Sequence, residues 1–162
     1  MRLELRAPTA ADTRAIGEAL AALLVPGDAI ALTGELGAGK TTFAQGLARG
    51  LGFTGVVVSP TFTLVREYRG GRLPVVHADV YRLDRVQDVV DLALEEEAED
   101  GVLLVEWGDA VEALLPPAHL IVELTVPGAG EERSVRLFAD GGSWSLRWER
   151  LERVLEPWSA AA

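Results

Sequence analysis

One segment of the chain, Gly34-Glu35-Leu36-Gly37-Ala38-Gly39-Lys40-Thr41, matches the pattern G-x-x-x-x-G-K-[ST]. Its glycines let the backbone curl so that several N–H groups point at one anion. Lys40 would place a compact positive charge beside the β- and γ-phosphates of a nucleotide. The Thr41 hydroxyl is a hard oxygen ligand suited to Mg²⁺. The segment therefore predicts a loop that binds a nucleoside triphosphate with magnesium.

The residues on either side of this loop support that interpretation. Ala29-Ile30-Ala31-Leu32 has the pattern of a short buried strand that enters the loop, and Thr42 to Leu51 has the pattern of a helix that leaves it. A helix that begins at the loop adds its dipole to the anion site. A glycine-rich turn that matches the pattern by chance is the alternative, but it would not explain the strand before it and the helix after it.

Two acidic residues follow apolar runs further along the chain. Glu106 comes directly after Val102-Leu103-Leu104-Val105, and Asp79 comes after Val75-Val76-His77-Ala78. A nucleoside triphosphatase of this type needs a strand-end acid that orients the metal. Parallel strands would present both acids at the edge of the sheet where ligands bind. The alternative for each acid is a carboxylate that only caps the following helix. We interpret Glu106 as the metal-side acid and Asp79 as its close support.

Other polar residues lie between and after these elements. In Ser59-Pro60-Thr61-Phe62-Thr63, the Thr61 hydroxyl is a candidate switch contact on the γ-phosphate side, and a Ser-Pro turn that enters a strand is the alternative. His77 could polarise water or bind a partner group, although a histidine beside apolar residues is more often packed in the core. Arg82 could reach a phosphate or form a surface ion pair.

Composition limits the class of protein. At 162 residues the chain is long enough for one domain with a substantial core, which we expect to span residues 1–162. The formal net charge of −10 argues against a free-standing nucleic-acid binder, so we expect no DNA partner. Lys40 is the only lysine. The chain has no cysteine, no apolar run long enough for a membrane span and no secretory signal, so we expect a cytoplasmic protein without a membrane partner.

The remaining segments predict an α/β fold of the P-loop NTPase type, with a mixed, largely parallel sheet flanked by helices. An edge strand is predicted at Leu3–Leu5, and a helix that starts at Thr9 carries an apolar stripe as far as Leu24. Further strands are predicted at 56–58, 62–68, 73–78, 102–105, 119–126 and 134–138. Further helices are predicted at 86–98, 109–115 and 143–158, the last with Trp144, Trp148, Leu151 and Leu155 on one side.

Four segments together resemble the TsaE family of bacterial P-loop proteins, also called YjeE. They are the loop with Thr42-Phe43, Ser59-Pro60-Thr61-Phe62, His77-Ala78-Asp79-Val80-Tyr81-Arg82 and Val105-Glu106-Trp107. Their order and spacing agree with the family from the first helix to about Asp109. Gly108-Asp109 is a departure, since many relatives have proline there.

The resemblance implies an ATPase that works with TsaB and TsaD in forming threonylcarbamoyladenosine in tRNA, with ATP and Mg²⁺ as its cofactors. It implies that Thr41 and Glu106 hold magnesium and that Thr13 lies near the nucleotide. It assigns the phosphates to Gly37, Ala38, Gly39, Lys40, Thr41 and Thr42. It places His77, Asp79, Tyr81 and Arg82 in a second motif linked to activity and partner contact. Among these residues, Lys40, Asp79 and Glu106 are the candidates for catalysis.

Two other functions share the same motifs. A P-loop kinase for a small metabolite would use the same loop and acid, although no arginine-rich lid is evident. A nucleotide-dependent clamp would bind ATP without useful hydrolysis. A segment that reads guanine is absent, which favours ATP. We expect tRNA to be met only indirectly, through the partner proteins.

Overall fold

The strands of the chain form one mixed sheet. The computed structural model describes residues 1–60, 65–80, 94–106 and 115–160. Within these ranges, seven strands are hydrogen-bonded in the order β1-β7-β6-β2-β5-β4-β3. They are β1 (Arg2–Ala7), β2 (Ala29–Thr33), β3 (Val65–Tyr68), β4 (Val75–Asp79), β5 (Val102–Glu106), β6 (Leu120–Thr125) and β7 (Arg133–Phe138).

The centre of the sheet is parallel and its two sides are antiparallel. Strand β2 pairs in parallel with β5 and β6, and β4 pairs in parallel with β5. The pairs β1–β7, β6–β7 and β3–β4 are antiparallel. The predicted α/β class with a mixed sheet is confirmed, and parallel pairing joins the strands β6, β2, β5 and β4.

Helices lie against this sheet. In the described ranges they are α1 (Ala10–Ala21), α2 (Lys40–Gly50), α3 (Leu94–Glu97) and α4 (Ser143–Leu155), and a 3₁₀ helix (Glu156–Trp158) follows α4. No helix within those ranges is long and apolar enough to cross a lipid bilayer. The predicted C-terminal helix is confirmed, because Trp144, Trp148, Leu151 and Leu155 are all buried. The predicted helix at 109–115 lies outside the described residues, except for its last residue. The one predicted at 86–98 is described only from residue 94.

The central strands are buried on both faces, and each face has its own core. Leu32 and Leu104 pack in the core that includes Phe43 of α2, whereas Ala31 and Val105 belong to a second core on the opposite face. Successive side chains of a strand point to opposite faces. The continuous apolar runs of the sequence therefore reflect strands covered on both sides.

Helices α1 and α2 pack at very short range. A Cβ atom on Gly46 of α2 would clash with the backbone carbonyl oxygen of Arg14 in α1, so only glycine lets the two backbones come this close. A Cβ atom on Gly17 of α1 would likewise lie only 2.5 Å from the carbonyl oxygen of Phe43. This contact fixes the first helix beside the helix that leaves the glycine-rich loop.

Two sets of hydrogen bonds hold the first turn of α1. Thr9 and Asp12 form a capping box, and Trp158 Nε1 donates to Asp12 Oδ1 at 3.0 Å. Hydrogen bonds from the Thr9 side chain and from Trp158 hold the pKa of Asp12 below its ordinary value. The C-terminal 3₁₀ helix is thereby tied to the first turn of α1.

A buried ion pair attaches α4 to the rest of the fold. Arg147 donates to both carboxylate oxygens of Asp28, at 2.6 and 2.9 Å, and to the carbonyl oxygen of Leu23 at 2.9 Å. Its guanidinium carbon lies 3.9 Å from the centroid of the Trp144 ring. Because Asp28 directly precedes β2, this pair links the C-terminal helix to the strand that enters the loop.

Two of the predicted elements differ from the structure. The predicted strand at Val56–Val58 is wrong, because these residues form no ladder and Val56 is 80% exposed. Side chains contact their carbonyl groups instead: Gln45 Nε2 donates to Val57 O, and the Tyr68 hydroxyl lies 3.1 Å from Val58 O. The first helix ends at Ala21, before the last residues of its predicted apolar stripe, which are nevertheless buried.

We expect Asp28→Asn to destabilise the fold by about 3–5 kcal/mol, because it leaves the buried guanidinium of Arg147 without its counter-charge. Urea unfolding followed by tryptophan fluorescence measures this loss. Arg153→Ala is the control on the same helix, since the Arg153–Glu149 pair is exposed, with side chains 70% and 86% accessible. That change should cost less than about 1 kcal/mol. Equal losses in the two variants would contradict a special role for the buried pair.

Candidate functional site

The glycine-rich loop connects β2 to α2 at the carboxyl end of the parallel strands. Gly39 is the N-cap of α2, with φ of 102°, a left-handed conformation that favours glycine. No side chain caps this end of the helix. The first N–H groups of α2 are therefore available to an anion, and the helix dipole favours negative charge at the same point.

Lys40 places its charge over this loop. Its side chain is buried, and Nζ donates to the carbonyl oxygens of Gly34 at 2.6 Å and Glu35 at 3.0 Å. Thr41 and Thr42 follow in the first turn of α2, where both are half-buried. The loop thus brings together backbone N–H groups, one ammonium group and two hydroxyls, which are the groups that bind a polyphosphate with a divalent cation.

The two candidate acids lie side by side. Asp79 of β4 is directly opposite Glu106 of β5, and Glu106 is opposite Leu32 of β2, the strand that leads into the loop. Both acids are buried, with 5% and 2% of their surfaces accessible. They share the sheet face of Leu104, which is the face covered by α2. The structure therefore brings both acids to the sheet edge at which the loop begins.

A short hydrogen-bonded network holds Glu106. His77 Nε2 lies 2.9 Å from Glu106 Oε2, and the Ser59 hydroxyl donates to the same oxygen at 3.4 Å. On the other side of the ring, His77 Nδ1 lies 2.8 Å from the hydroxyl of Tyr68. His77 is fully buried and Tyr68 is 3% exposed. The sequence allowed His77 either a packing role or a functional one, and the structure places it in contact with the candidate metal-side acid.

Thr13 borders the loop from α1. Its methyl group lies 3.7 Å from the position that a Cβ on Gly39 would take. Thr13 is 1% exposed, and its hydroxyl has no hydrogen-bond partner among the described residues. A buried hydroxyl without a partner is costly, so this position suits a group that a bound ligand would supply.

Sequence reasoning missed Arg133, which braces the loop. The guanidinium donates to the carbonyl oxygens of Ala38 at 3.0 Å and Gly37 at 3.2 Å, and also to Gly130 O at 2.6 Å. The contacts with Ala38 and Gly37 span more than ninety residues of sequence, so no local pattern could have indicated them. They add a second positive group beside the loop and hold two of its carbonyl groups.

The donor set fits magnesium with a nucleotide. Mg²⁺ prefers hard oxygen ligands and is usually bound through one or two protein groups together with phosphate oxygens and water. Thr41 offers a hydroxyl and Glu106 a carboxylate. Both hydrogen bonds to Glu106 fall on Oε2, and Oε1 receives none from the residues that the structure describes. One carboxylate oxygen is thus fixed while the other is suited to a metal.

Three of the predicted contacts lie outside the described residues. They are Thr61, the candidate switch hydroxyl, and Tyr81 and Arg82 of the second motif. Trp107 of the fourth segment also lies outside the described ranges. The remaining candidates, namely Thr13, the loop residues, His77, Asp79 and Glu106, surround the start of α2 or the adjacent ends of β4 and β5.

The loop, the start of α2 and the rim acids together define a P-loop nucleotide-binding protein. A family model described as threonylcarbamoyl adenosine biosynthesis protein TsaE matches residues 7–135. The chain is 42% identical over 154 residues to the tRNA threonylcarbamoyladenosine biosynthesis protein TsaE of Bacillus subtilis, with 94% of this chain and 95% of that protein covered. It is 41% identical over 128 residues to the TsaE protein of a Nostoc species, with coverages of 76% and 78%.

A solved structure agrees with these relatives. The crystal structure of YdiB from Bacillus subtilis has a TM-score of 0.79 and 38% identity, and it covers 94% of this chain and 95% of its own. The chain belongs to the TsaE family of tRNA threonylcarbamoyladenosine biosynthesis proteins. The family resemblance drawn from the four sequence segments is confirmed.

The buried phenol at the site predicts a pH effect. Burial, aided by the charge of Glu106 and opposed by Arg66, raises the pKa of Tyr68 to about 12 from 10.0. A raised pKa means that the folded state favours the neutral phenol. The contribution of the neutral Tyr68 phenol to the free energy of unfolding should therefore be complete below about pH 10 and be lost as the pH rises towards 12. The difference in unfolding free energy between wild type and Tyr68→Phe should shrink over that interval.

Phenolate absorbance provides a second measurement of the same group. Tyr68→Phe should remove the late titration step, whereas Tyr81→Phe, which removes the only other tyrosine, should leave it. Ionisation of Tyr68 at the ordinary pKa of an exposed tyrosine would contradict its burial against Glu106.

Proposed function

We propose that this chain binds ATP with Mg²⁺ and hydrolyses it slowly, as the ATPase of the tRNA threonylcarbamoyladenosine machinery. The observation that carries the proposal is the arrangement around the uncapped start of α2. Lys40 lies over the loop, and the buried pair Asp79 and Glu106 stands at the end of the adjacent strands. We propose that residues 1–162 act as a single ATPase domain.

The chain's own groups divide the work of binding the phosphates. The backbone N–H groups of Gly37, Ala38, Gly39, Lys40, Thr41 and Thr42 would surround them. Lys40 would exchange its carbonyl contacts for the β- and γ-phosphate oxygens and stabilise the charge that develops there. Thr13 would satisfy its buried hydroxyl on the nucleotide. Arg133 would hold the loop in shape through Gly37 and Ala38.

The acids at the rim have separate parts in this proposal. Thr41 and Glu106 would hold the magnesium ion, which would neutralise phosphate charge when bound. Glu106 is already oriented by His77 and Ser59. Asp79, directly beside it, would order the attacking water or the metal's water shell. A magnesium ion would add positive charge beside these two buried acids.

The cycle of this ATPase would serve a larger assembly. We propose TsaB and TsaD as its partners, on the strength of the family, with tRNA met only through them and with the cytoplasm as the location. His77 would act through Glu106. Thr61, Tyr81 and Arg82 remain predictions for the switch or the partner contact.

Two substitutions test binding and hydrolysis separately. Lys40→Ala should weaken binding of MgATP by about 10- to 100-fold, because it removes charge-assisted contacts to the phosphates. Glu106→Gln keeps the shape of the side chain but removes its charge, so phosphate release should fall by about 10- to 100-fold while nucleotide without metal still binds. Calorimetric titration and a phosphate-release assay measure the two effects.

Glu67→Gln is the control for the loss of a carboxylate, because Glu67 lies on the edge strand β3 and pairs with Arg69 at the surface. It should leave both measurements unchanged. Wild-type protein that takes up no nucleotide in magnesium buffer would refute the proposal. Nucleotide-dependent assembly without any turnover would favour the clamp instead.

The partner coupling has its own test. Adding TsaB and TsaD proteins should raise phosphate release, because a partner residue often completes the catalytic groups of a P-loop enzyme. Adding tRNA alone should have no effect, since a chain with net charge −10 has little affinity for a polyanion at physiological salt. Tight tRNA binding by the isolated chain, or partners that leave turnover unchanged, would contradict this part of the proposal.

A further inference from the structure

The Tyr68 hydroxyl lies between two acceptors. It is 3.1 Å from the carbonyl oxygen of Val58 and 2.8 Å from His77 Nδ1. On the far side of the ring, His77 Nε2 is 2.9 Å from Glu106 Oε2. A tyrosine on strand β3, at the edge of the sheet, is thus connected through one imidazole ring to the acid at the end of β5.

With a neutral imidazole at His77, the number of hydrogens available fixes the directions of these bonds, and the single hydrogen of the Tyr68 hydroxyl goes to His77 rather than to Val58 O. A carboxylate only accepts, so Nε2 must carry the hydrogen that binds Glu106. A neutral imidazole has a single N–H, which makes Nδ1 an acceptor and requires the Tyr68 hydroxyl to donate to it. The shorter of the two Tyr68 contacts, 2.8 Å against 3.1 Å, agrees with this direction.

We propose that Tyr68 is a positioning residue, which selects the Nε2–H tautomer of His77 and thereby fixes the carboxylate of Glu106. The catalytic meaning of this inference rests on the proposed ATPase function. Because His77 and Ser59 both bind Oε2, rotation of the carboxylate is restrained and Oε1 is presented in one orientation. A metal ligand fixed in advance loses less side-chain freedom when the metal binds.

Packing alone does not explain a tyrosine here. The Tyr68 ring contacts Phe53, with centroids 5.1 Å apart, and phenylalanine would keep that contact. Burial raises the pKa of Tyr68 to about 12, so the hydroxyl keeps its hydrogen in neutral solution. The cost of burying a hydroxyl is offset by its role as a donor to His77.

Nitrogen NMR of the intact chain reads the tautomer directly. The chain has only two histidines, and His119 Nδ1 lies 2.8 Å from the carbonyl oxygen of Pro116, so its hydrogen must be on Nδ1. The spectrum should therefore show hydrogen on Nε2 alone for His77 and hydrogen on Nδ1 for His119. His119→Gln assigns the two signals. Tyr68→Phe should abolish the exclusive Nε2–H form of His77 and leave His119 unchanged.

Kinetics then test the consequence for the metal. Tyr68→Phe should raise the magnesium concentration for half-maximal turnover by about 10-fold and lower kcat, because partners of metal ligands typically contribute this much. ATP affinity measured in a chelator should not change. Phe53→Leu is the packing control: it disturbs the same ring contact without removing the hydroxyl, and it should leave the tautomer and the magnesium dependence as in wild type.

A double-mutant cycle separates the route through His77 from a general effect. His77→Gln retains an N–H group for Glu106 that needs no donor from Tyr68, so adding Tyr68→Phe to it should have no further effect. An additive loss would overturn the inference. So would a wild-type His77 with hydrogen on Nδ1 or on both nitrogens, or a Tyr68→Phe variant with unchanged magnesium dependence in an active enzyme. If wild type shows no turnover, the ATPase proposal fails, while the tautomer spectrum still decides the role of Tyr68.

Discussion

Burial of a carboxylate is the constraint on which the rest of the site depends. Glu106 is 2% exposed, and a charge so far from water must be given hydrogen-bond donors or a cation. The structure supplies His77 and Ser59 to one oxygen, and His77 needs Tyr68 in turn. The requirements of one side chain thus determine the identities of several others on β3, on β4 and in the segment before residue 60.

Contacts far from this site hold the elements that carry it. Arg147 and Asp28 connect the C-terminal helix to the base of β2, and Trp158 connects the chain's end to the capping box of α1. Close packing through Gly46 then sets α1 against α2. Because α1 packs so closely on α2, the first turn of α2 and Thr13 keep a fixed relation. Packed interiors transmit such constraints since they tolerate few voids.

Patterns within short, uninterrupted stretches of sequence made most of the fold and the central loop predictable. The loop pattern lies within eight residues, and the apolar runs before Asp79 and Glu106 correctly indicated buried strands. The run Val56–Val58 carried the same signal and was misleading, because β3 already occupies the position beside β4 and side chains bind the carbonyl groups of that run. Arg133 could not be recognised because it contacts loop residues more than ninety positions away, and Tyr68 could not because its contacts with Val58 and His77 arise only when the chain folds. The roles of the site residues themselves remain predictions.

The network around Glu106 also bears on how a partner could act. Val58 and Ser59 contact Tyr68 and Glu106 respectively, so this backbone segment and the rim acid belong to one hydrogen-bonded unit. Any surface that displaced Val58 and Ser59 would change the restraint on Glu106. If such a surface changes the affinity of Glu106 for a ligand, linkage requires that the ligand changes the affinity for the surface by the same factor. A small displacement of this segment would therefore alter the hydrogen bond from Ser59 to Glu106 directly.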